Sequence, residues 1–414
     1  MTQTNYGRLV ETADQKRERI LEKALSDHFG RPEMEIWARA LDMVNRHITV
    51  DGEVFKEAAD AYADLAQHLV DKLKWPEDAI VVSPQGSTNT QTLIKSPTRQ
   101  KFDIDAVCTV DLNRVEAHEP MKFFEEVGRA LEDYNAEDKP RCWRVHYTNR
   151  PFYIDFTPAV PLSTISPAMR AHVRYAPTAK YQATALAVVD CPTGTWKTSN
   201  PNGFAQWVND QASRKVLRIA LEEEVLAKRA DIVPVPVQEV PLTDTLRVAI
   251  RLFKRHRDMA IKRGHLNADY APISVIIVTL LTSCYEGMAD RHQSFNHPIE
   301  LLLALAEYMP HLIETRDGKY WIPNPTVDGE NFAEKWNDDY DMRAKEFRKW
   351  CGLLVNDLVT ILAATNADTV RERVQVVFGC TGADTDDSSA RPLGLLAVKK
   401  PDNVPAARSG KGLA

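Results

Sequence analysis

The stretch that decides the fold of this chain is Phe102-Asp103-Ile104-Asp105-Ala106-Val107. Side chains of a strand point alternately to its two faces, so the apolar residues at 102, 104 and 106 share one face and both aspartates share the other. The run therefore predicts a half-buried strand with two carboxylates on its outer face. Alone this pattern is weak evidence for a site, because solvated strand faces often carry it.

A second run places a third aspartate in a similar setting. In Phe152-Tyr153-Ile154-Asp155-Phe156, the apolar residues make a buried face and Asp155 emerges opposite them. If the two strands are neighbours, the three carboxylates converge, and two like charges about 4 Å apart repel by roughly 4 kcal/mol at an effective dielectric of about 20. Divalent cations relieve this repulsion and catalyse phosphoryl transfer. We therefore predict that Asp103, Asp105 and Asp155 hold two Mg²⁺ ions, which Mn²⁺ could replace.

A glycine-serine pair upstream predicts an anion site. Pro84-Gln85-Gly86-Ser87-Thr88 follows the short apolar run Ile80-Val81-Val82. Gly86 has no Cβ, which lets its backbone approach a phosphate closely, and Ser87 adds a hydroxyl donor. A helix starting within Thr88–Ile94 would complete the site with exposed N–H groups. Gly-Ser pairs are common in ordinary turns, so only their combination with the aspartate strands is specific.

The composition predicts a soluble protein of the cytoplasm. The 414 residues are enough for two domains, and an apolar content of 44% supports large cores. A net charge of −6 argues against a surface that coats nucleic acid. The scattered cysteines lack metal-ligand spacing and predict reduced thiols. The N-terminus has no apolar signal core, and the apolar stretch at 273–281 is too short to span a bilayer, so we expect no membrane association.

The fold class predicted is α+β, with two lobes and a tail. Residues 1–190 are assigned to N-terminal helices and a catalytic core, whose short link at 148–151 favours a mixed or antiparallel sheet. Residues 191–380 show helical apolar periodicity punctuated by prolines, and they predict a helical lobe. The tail at 381–414 is rich in Asp, Ser, Pro, Gly and Lys, so it is predicted to be disordered.

The order Gly-Ser, Asp-x-Asp and distal Asp resembles the nucleotidyltransferase fold shared with DNA polymerase β. The interval between Ser87 and Asp103 is longer than the common family spacing, and the polar run at 96–101 looks like the inserted loop. The resemblance implies that Asp103 and Asp105 each bind metal, and that Asp155 holds the catalytic ion and helps to activate the attacking hydroxyl. It also implies a set of residues that grip the triphosphate: Gln85, Gly86 and Ser87.

The helical half narrows the resemblance. Its distinctive segments are Ile322-Pro323-Asn324-Pro325 and the run from Glu330 to Trp336. With the runs at 245–258 and 271–280 they resemble the bacterial cGAS/DncV-like nucleotidyltransferases (CD-NTases), which have an oligoadenylate-synthetase-like helical half, over roughly residues 50–380. This resemblance implies a cyclic oligonucleotide synthase that joins ATP and other NTPs into a cyclic di- or trinucleotide. That product would signal to a downstream effector during anti-phage (CBASS) defence.

Three residues of the helical half are further candidates for nucleotide contact. Lys254 lies in a basic helix, where a solvated helix face is the simpler interpretation and a phosphate contact the sharper one. Ser274 follows Pro272 near a helix start, where its hydroxyl could cap the helix and touch a phosphate. Tyr285 could stack on a base, although packing in the core is the commoner role.

The helix of Lys254 carries a basic cluster that could bind an activating nucleic acid, but a solvated face with a phosphate funnel is the favoured interpretation. The cluster consists of Arg251, Lys254, Arg255, Arg257, Lys262 and Arg263. No Cys/His cluster provides a zinc-held DNA-binding insertion, so no DNA activator is expected.

The tail ends in Ser409-Gly410-Lys411-Gly412-Leu413-Ala414. Most such ends only solubilise. Some CD-NTases resembling this chain, however, are conjugated through a small C-terminal residue by an E1–E2-like partner, which makes Ala414 a candidate conjugation site. The resemblance also allows another CBASS regulator to act at this tail.

Two other functions stay open. A non-cyclising nucleotidyltransferase acting on RNA or protein is one, although an RNA-tailing enzyme would be expected to show a basic track. A catalytically silent nucleotide-binding scaffold is the other, although a scaffold need not keep three mutually repelling carboxylates.

Overall fold

The computed structural model of the protein describes residues 6–17, 19–26, 33–76, 79–97, 101–113, 119–217, 238–364 and 366–380. The α-helices in these ranges are α1 (Tyr6–Lys16), α2 (Ile20–Ser26), α3 (Glu33–His47), α4 (Gly52–Leu73), α5 (Gly86–Asn89), α6 (Pro120–Ala130), α7 (Pro167–Arg170), α8 (Pro201–Ala212), α9 (Thr245–Lys262), α10 (Ser274–Asp290), α11 (Pro298–Tyr308), α12 (Met342–Leu362) and α13 (Ala367–Phe378). The strands are β1 (Ile80–Gln85), β2 (Phe102–Val110), β3 (Ala136–Asp138), β4 (Trp143–His146), β5 (Phe152–Pro161), β6 (Ala176–Pro177), β7 (Leu186–Asp190), β8 (Thr195–Ser199), β9 (Glu314–Arg316), β10 (Lys319–Trp321) and β11 (Val327–Asp328).

Some predictions fall outside these ranges. The tail with Ala414 does, as does part of the inserted loop at 96–101. None of the described helices combines the length with the apolar character that a bilayer crossing requires.

The main sheet is mixed, as predicted. Its strands run in the order β1-β2-β5-β4-β3. In addition, β7 pairs with the last residues of β5 on one side and with β8 on the other. The β2 and β5 strands are parallel, whereas the other neighbours in this sheet are antiparallel. This register places Asp105 beside Gln85 on one side and beside Asp155 on the other.

The inner face of the sheet forms one of the two large cores. Ile104, Ala106, Ile154 and Phe156 are fully buried, as their alternation with the aspartates predicts. They share this core with apolar residues of α4 and α6. The α4 helix is capped by Asp51, whose carboxylate accepts from the Glu53 N–H at 3.0 Å and satisfies an otherwise unpaired donor.

The second core divides the chain differently from the predicted boundaries. It joins α8–α13 to α1–α3, because Val10, Trp37 and Val44 pack with the helical lobe and not with the sheet. The N-terminal helices therefore belong to the helical lobe. The sheet, in turn, continues through β8 to Ser199, so the predicted boundary at 190 falls within the β7–β8 hairpin.

Gly287 tests the packing of α1 on the helical lobe. A Cβ at this position would lie 2.1 Å from Val10 Cγ2 and 2.6 Å from the Tyr6 carbonyl oxygen. We expect Gly287→Ala to lower the free energy of unfolding by about 1–3 kcal/mol, measured by denaturant titration. Gly352→Ala in α12 is the control, because its Cβ would meet nothing within 4 Å. It should stabilise by up to about 1 kcal/mol, and equal stabilisation by both variants would contradict this packing of α1.

Candidate active site

A cavity of about 610 Å³ lies where the sheet and the helical lobe face each other. Both lobes contribute polar side chains to it. The residues on the sheet side and in its loops are Gln85, Gly86, Ser87, Thr90, Thr92, Ser96, Asp103, Asp105, Arg141 and Ser199. Those of the helical lobe include Asn200, Phe204, Lys254, Arg257, Asp258, Ser274, Asn324, Glu330 and Phe332. Of the predicted site residues, all but Asp155, Tyr285 and the undescribed Ala414 line this cavity.

The carboxylates are crowded, as the sequence predicts. Asp103 and Asp105 both line the cavity, and the strand register sets Asp155 beside Asp105. Burial raises the pKa of Asp105 well above its usual range, and the charges of Asp103 and Asp155 raise it further. The charges of Lys254 and Arg144 oppose this shift without cancelling it. The site is therefore short of positive charge at Asp105.

Gly86 lies against the carboxylate of Asp105. Its φ is +62°, a conformation that L side chains rarely adopt, and a Cβ would lie 2.1 Å from Asp105 Oδ2. The helix predicted to start within Thr88–Ile94 is instead the short α5, which begins at Gly86 itself. Gln85 faces the cavity too, although its Nε2 donates to Thr157 Oγ1 at 3.0 Å and ties β1 to β5.

Helix α9 clamps the segment that follows the Gly-Ser pair. The Nε of Arg247 donates to the carbonyl of residue 90 at 3.1 Å, and the Nζ of Lys254 donates to that of residue 92 at 2.8 Å. The Nη1 of Arg255 donates to the carbonyl of residue 95 at 3.0 Å. Three cationic side chains of one helix thus fix the segment beside Asp105 through its backbone.

The prediction of a solvated basic face on α9 is wrong. Arg251, Lys254, Arg255 and Arg257 are at most 6% exposed. Burial lowers the pKa of the Arg251 guanidinium to about 10, which still leaves it charged at neutral pH. The free-energy cost of burying these cationic side chains is reduced, because each donates a charge-assisted hydrogen bond to a backbone carbonyl. Within the cluster, Lys262 at the end of the helix is exposed and Arg263 is half-buried.

Ser274 faces the cavity but does not cap its helix. The cap of α10 is Ile273, and Ser274 is the first helical residue. Its Oγ accepts from Arg257 Nη1 at 3.2 Å, and the same nitrogen donates to the Pro272 carbonyl at 2.9 Å. Arg257 is also paired with Asp258 at 2.7 Å. Ser274 is therefore held at the cavity wall by a buried ion pair.

Tyr285 requires a correction. It is 4% exposed, packs in the core of the helical lobe and is absent from the cavity lining. Its hydroxyl donates to the Arg214 carbonyl at 2.9 Å. A base cannot stack on a ring that is buried in this core, so Tyr285 has a packing role and is not part of the site.

Arg144 is a site residue that the sequence argument missed. It lies opposite Asp155 across β4 and β5, and its Nε and Nη2 donate to the two Asp155 oxygens at 2.7 Å each. Its guanidinium carbon lies 3.9 Å from the centre of the Tyr153 ring. Pairing the two predicted strands outward from the turn at 147–151 would have found this contact, since 146 pairs with 153 and 144 then pairs with 155.

The distinctive Asn324-to-Phe332 segment gains a structural role at the cavity wall. Glu330 bridges the lobes, because it accepts from Lys197 of β8 at 2.7 Å and from Asn324 Nδ2 at 2.7 Å. Phe332 packs edge-on against Phe204, with ring centres 6.2 Å apart. The segment thus closes the cavity with a lobe-bridging ion pair and an aromatic wall.

The donor set fits a divalent cation in chemistry and charge. Carboxylate oxygens are the ligands that Mg²⁺ prefers, and the raised pKa of Asp105 reflects a deficit that a cation would relieve. In the described ranges, however, no three His, Cys, Asp or Glu side chains form a preformed metal site. Asp103 and Asp105 are therefore the residues that would hold a metal first. Asp155 would join them as its ion pair with Arg144 loosens.

Gly86 provides a test of this geometry. Gly86→Ala combines a strained backbone with a clash against Asp105, so we expect activity to fall about 100-fold or more, as for other displaced catalytic groups. Gly318→Ala is the matched control, because Gly318 has a φ of +75° but a Cβ there meets nothing within 4 Å. Both variants should lose about 1–2 kcal/mol of stability in thermal unfolding. Full activity of Gly86→Ala, or an equal activity loss in both, would contradict the contact with Asp105.

Comparison with known proteins agrees with this geometry. Residues 81–158 match the nucleotidyltransferase domain of cyclic GMP-AMP synthase DncV-like proteins. A c-di-GMP synthase of Roseivirga ehrenbergii is 26% identical over 305 residues, which cover 72% of each chain.

Two solved structures share the fold. The CD-NTase CdnG of Bradyrhizobium diazoefficiens, solved with GTP, is 17% identical, with 84% of this chain and 99% of that chain covered at a TM-score of 0.53. E. coli CdnC, solved with ATP, is 12% identical, with 82% and 97% covered at a TM-score of 0.52. The Gly-Ser loop and the three aspartates all lie in or beside the cavity within residues 81–158, and the helical lobe completes the same architecture. Residues 81–158 therefore match a DncV-like nucleotidyltransferase domain, and the chain resembles the CD-NTases in sequence and fold.

Proposed function

We propose that this protein joins nucleoside triphosphates into a cyclic di- or trinucleotide second messenger of anti-phage defence. The observation that carries the proposal is the meeting of Gly86, Ser87, Asp103 and Asp105 in one cavity, within the domain that matches the DncV-like nucleotidyltransferases. A cavity of about 610 Å³ walled by both lobes suits small nucleotides better than a long polymer.

Different residues of the site have different roles in one phosphoryl transfer. The backbone at Gly86 and the Ser87 hydroxyl would hold the triphosphate of the donor nucleotide. A ribose hydroxyl of the second nucleotide attacks the donor α-phosphate, the new P–O bond forms, and the α–β bond breaks to release pyrophosphate. Asp155, next to Asp105, would accept the hydroxyl proton once its ion pair with Arg144 loosens. A second transfer by the same site closes the ring.

Asp103 and Asp105, joined by Asp155, would hold two Mg²⁺ ions or, in their place, Mn²⁺. When bound, these ions supply Lewis-acid stabilisation of the charge that develops on the transferred phosphoryl group. The chain itself contributes positioning, since the α9 clamp and the β2–β5 register fix the loop and the carboxylates relative to each other.

The choice of nucleotide is also proposed. The c-di-GMP synthase of Roseivirga ehrenbergii makes GTP the first substrate to test, with a cyclic dinucleotide as the product. The Phe204–Phe332 wall offers an aromatic surface for a base, and Glu330 offers carboxylate oxygens to base N–H donors.

Four further properties of the protein stay predictions. These are conjugation of Ala414 by an E1–E2-like enzyme, an effector that binds the product, the absence of a DNA activator, and a cytoplasmic location. A mass-spectrometric search for an adduct at the C-terminus, with the neighbouring genes co-expressed, addresses the first of them.

Product identification tests the proposal. Purified protein is incubated with Mg²⁺ and all four NTPs, and the products are treated with phosphatase and separated by chromatography and mass spectrometry. We expect a phosphatase-resistant cyclic product. A linear, phosphatase-sensitive product would favour the non-cyclising nucleotidyltransferase, and the absence of any NTP consumption with Mg²⁺ or Mn²⁺ would favour the silent scaffold.

The aspartates provide a second prediction. We expect Asp103→Asn and Asp105→Asn each to lower turnover about 1,000-fold or more, because the charge that positions the cation is lost. The stability of Asp105→Asn should not fall, since the raised pKa of Asp105 shows that its charged form is unfavourable in the fold. Thermal unfolding and pyrophosphate release are measured on the same samples. Appreciable turnover by the folded double variant would overturn the assignment.

A further inference from the structure

Arg141 is a cavity residue to which the phosphoryl transfer described above gives no role. It precedes β4 in a tight turn, in which the Lys139 N–H donates to the Cys142 carbonyl at 2.9 Å. Its side chain is 51% exposed and lines the same cavity as Asp103 and Asp105.

A set of contacts from the β7–β8 turn holds Arg141 in place. Its Nε donates to Asp190 Oδ1 at 3.1 Å, and Asp190 Oδ2 accepts from Thr193 Oγ1 at 2.8 Å. The backbone is tied as well, because the Cys191 N–H donates to the Pro140 carbonyl at 3.0 Å. These contacts use only the Nε edge of the Arg141 guanidinium. The two Nη groups take no part in these contacts, and the β7–β8 turn holds the guanidinium in place.

The other cations near the aspartates are engaged by the chain. Lys254 donates to a backbone carbonyl, Arg257 is paired with Asp258, and Arg144 covers both oxygens of Asp155. In contrast, neither Nη group of Arg141 forms a hydrogen bond with any residue of the described ranges. Arg141 is therefore the cavity cation best able to bind an anion from solution, and an arginine fork matches phosphate oxygens.

Its position in the sheet indicates which phosphate it would bind. The Gly-Ser loop follows β1, the aspartates lie on β2 and β5, and Arg141 precedes β4. Three strand spacings of about 4.8 Å separate β1 from β4, or roughly 14 Å. The donor triphosphate at Gly86 and a phosphate at Arg141 would thus lie on opposite sides of the aspartates.

We infer that Arg141 binds the phosphate oxygens of the second nucleotide, the one whose hydroxyl attacks. Asp190 and Thr193 act as positioning residues that hold the Arg141 fork toward the cavity. This inference rests on the proposed function, since it assigns the two nucleotides to opposite sides of the carboxylates.

A binding titration tests the inference without turnover. The probe is guanosine 5′-(α,β-methylene)triphosphate, in which the α–β bond cannot be cleaved, measured by calorimetry with Mg²⁺. Wild-type protein should bind two molecules, and Arg141→Gln should weaken one site about 10-fold or more and leave the other unchanged. Arg141→Lys should be intermediate, because it keeps the charge and loses the fork, and Asp190→Asn should weaken the same site less.

Arg39→Gln is the matched control, because Arg39 is also an exposed arginine paired with a carboxylate, in α3 and outside the cavity lining. It should bind both molecules as the wild type does. Two sites of wild-type affinity in Arg141→Gln, or an equal loss in Arg39→Gln, would overturn the inference.

A kinetic experiment separates the two nucleotides. The donor is 2′,3′-dideoxy-GTP, which has no attacking hydroxyl, and the acceptor is either GTP or guanosine. Wild-type protein should prefer GTP as acceptor, and Arg141→Gln should lose most of this preference while its KM for the donor stays unchanged. A preserved preference would overturn the inference. If no variant consumes nucleotide, the proposed function fails, whereas the titration still decides the role of Arg141.

Discussion

The register of β2 and β5 brings three carboxylates close together, and the arrangement of the site depends on this crowding. Parallel pairing sets Asp105 directly beside Asp155, and the alternation of β2 sets Asp103 on the same face. The cost is visible in the raised pKa of Asp105, which burial and the two neighbouring charges produce. Three acidic residues on one face of a strand pair repel each other, and cations nearby reduce this repulsion. Arg144 and Lys254 supply part of that charge, and bound metal would supply the rest.

Helix α9 holds the segment after the Gly-Ser pair beside those carboxylates. Lys254 and Arg255 are buried and Arg247 is half-buried, and each donates to a backbone carbonyl of the segment after the Gly-Ser pair. These buried charges therefore attach that segment to the helix. Arg255 shows how far this reaches. It donates to the carbonyls of Lys95 and Phe378, and thereby connects the segment after the Gly-Ser loop to the end of α13. The position of Gly86 at Asp105 therefore rests on the helical lobe as much as on the sheet.

Much of the catalytic face could be predicted from the sequence, because strand alternation is a local property. The faces of Asp103, Asp105 and Ile104 follow from two residues on either side. Long-range relations could not be read in this way. The attachment of α1–α3 to the helical lobe, the burial of the α9 cations and the contact of Arg144 with Asp155 depend on which surfaces meet. Tyr285 is an example, since the residues around a tyrosine in a helix do not show whether its ring lines a cavity or packs in a core.

Binding of Mn²⁺ tests most directly whether the three carboxylates form a divalent-cation site. The free ion is followed by electron paramagnetic resonance as protein is added, without nucleotide or turnover. Wild-type protein should bind Mn²⁺, Mg²⁺ should displace it, and Asp105→Asn should weaken binding about 10-fold or more, because a charged ligand is lost. Undiminished Mn²⁺ binding by a folded Asp103→Asn/Asp105→Asn variant would contradict the account.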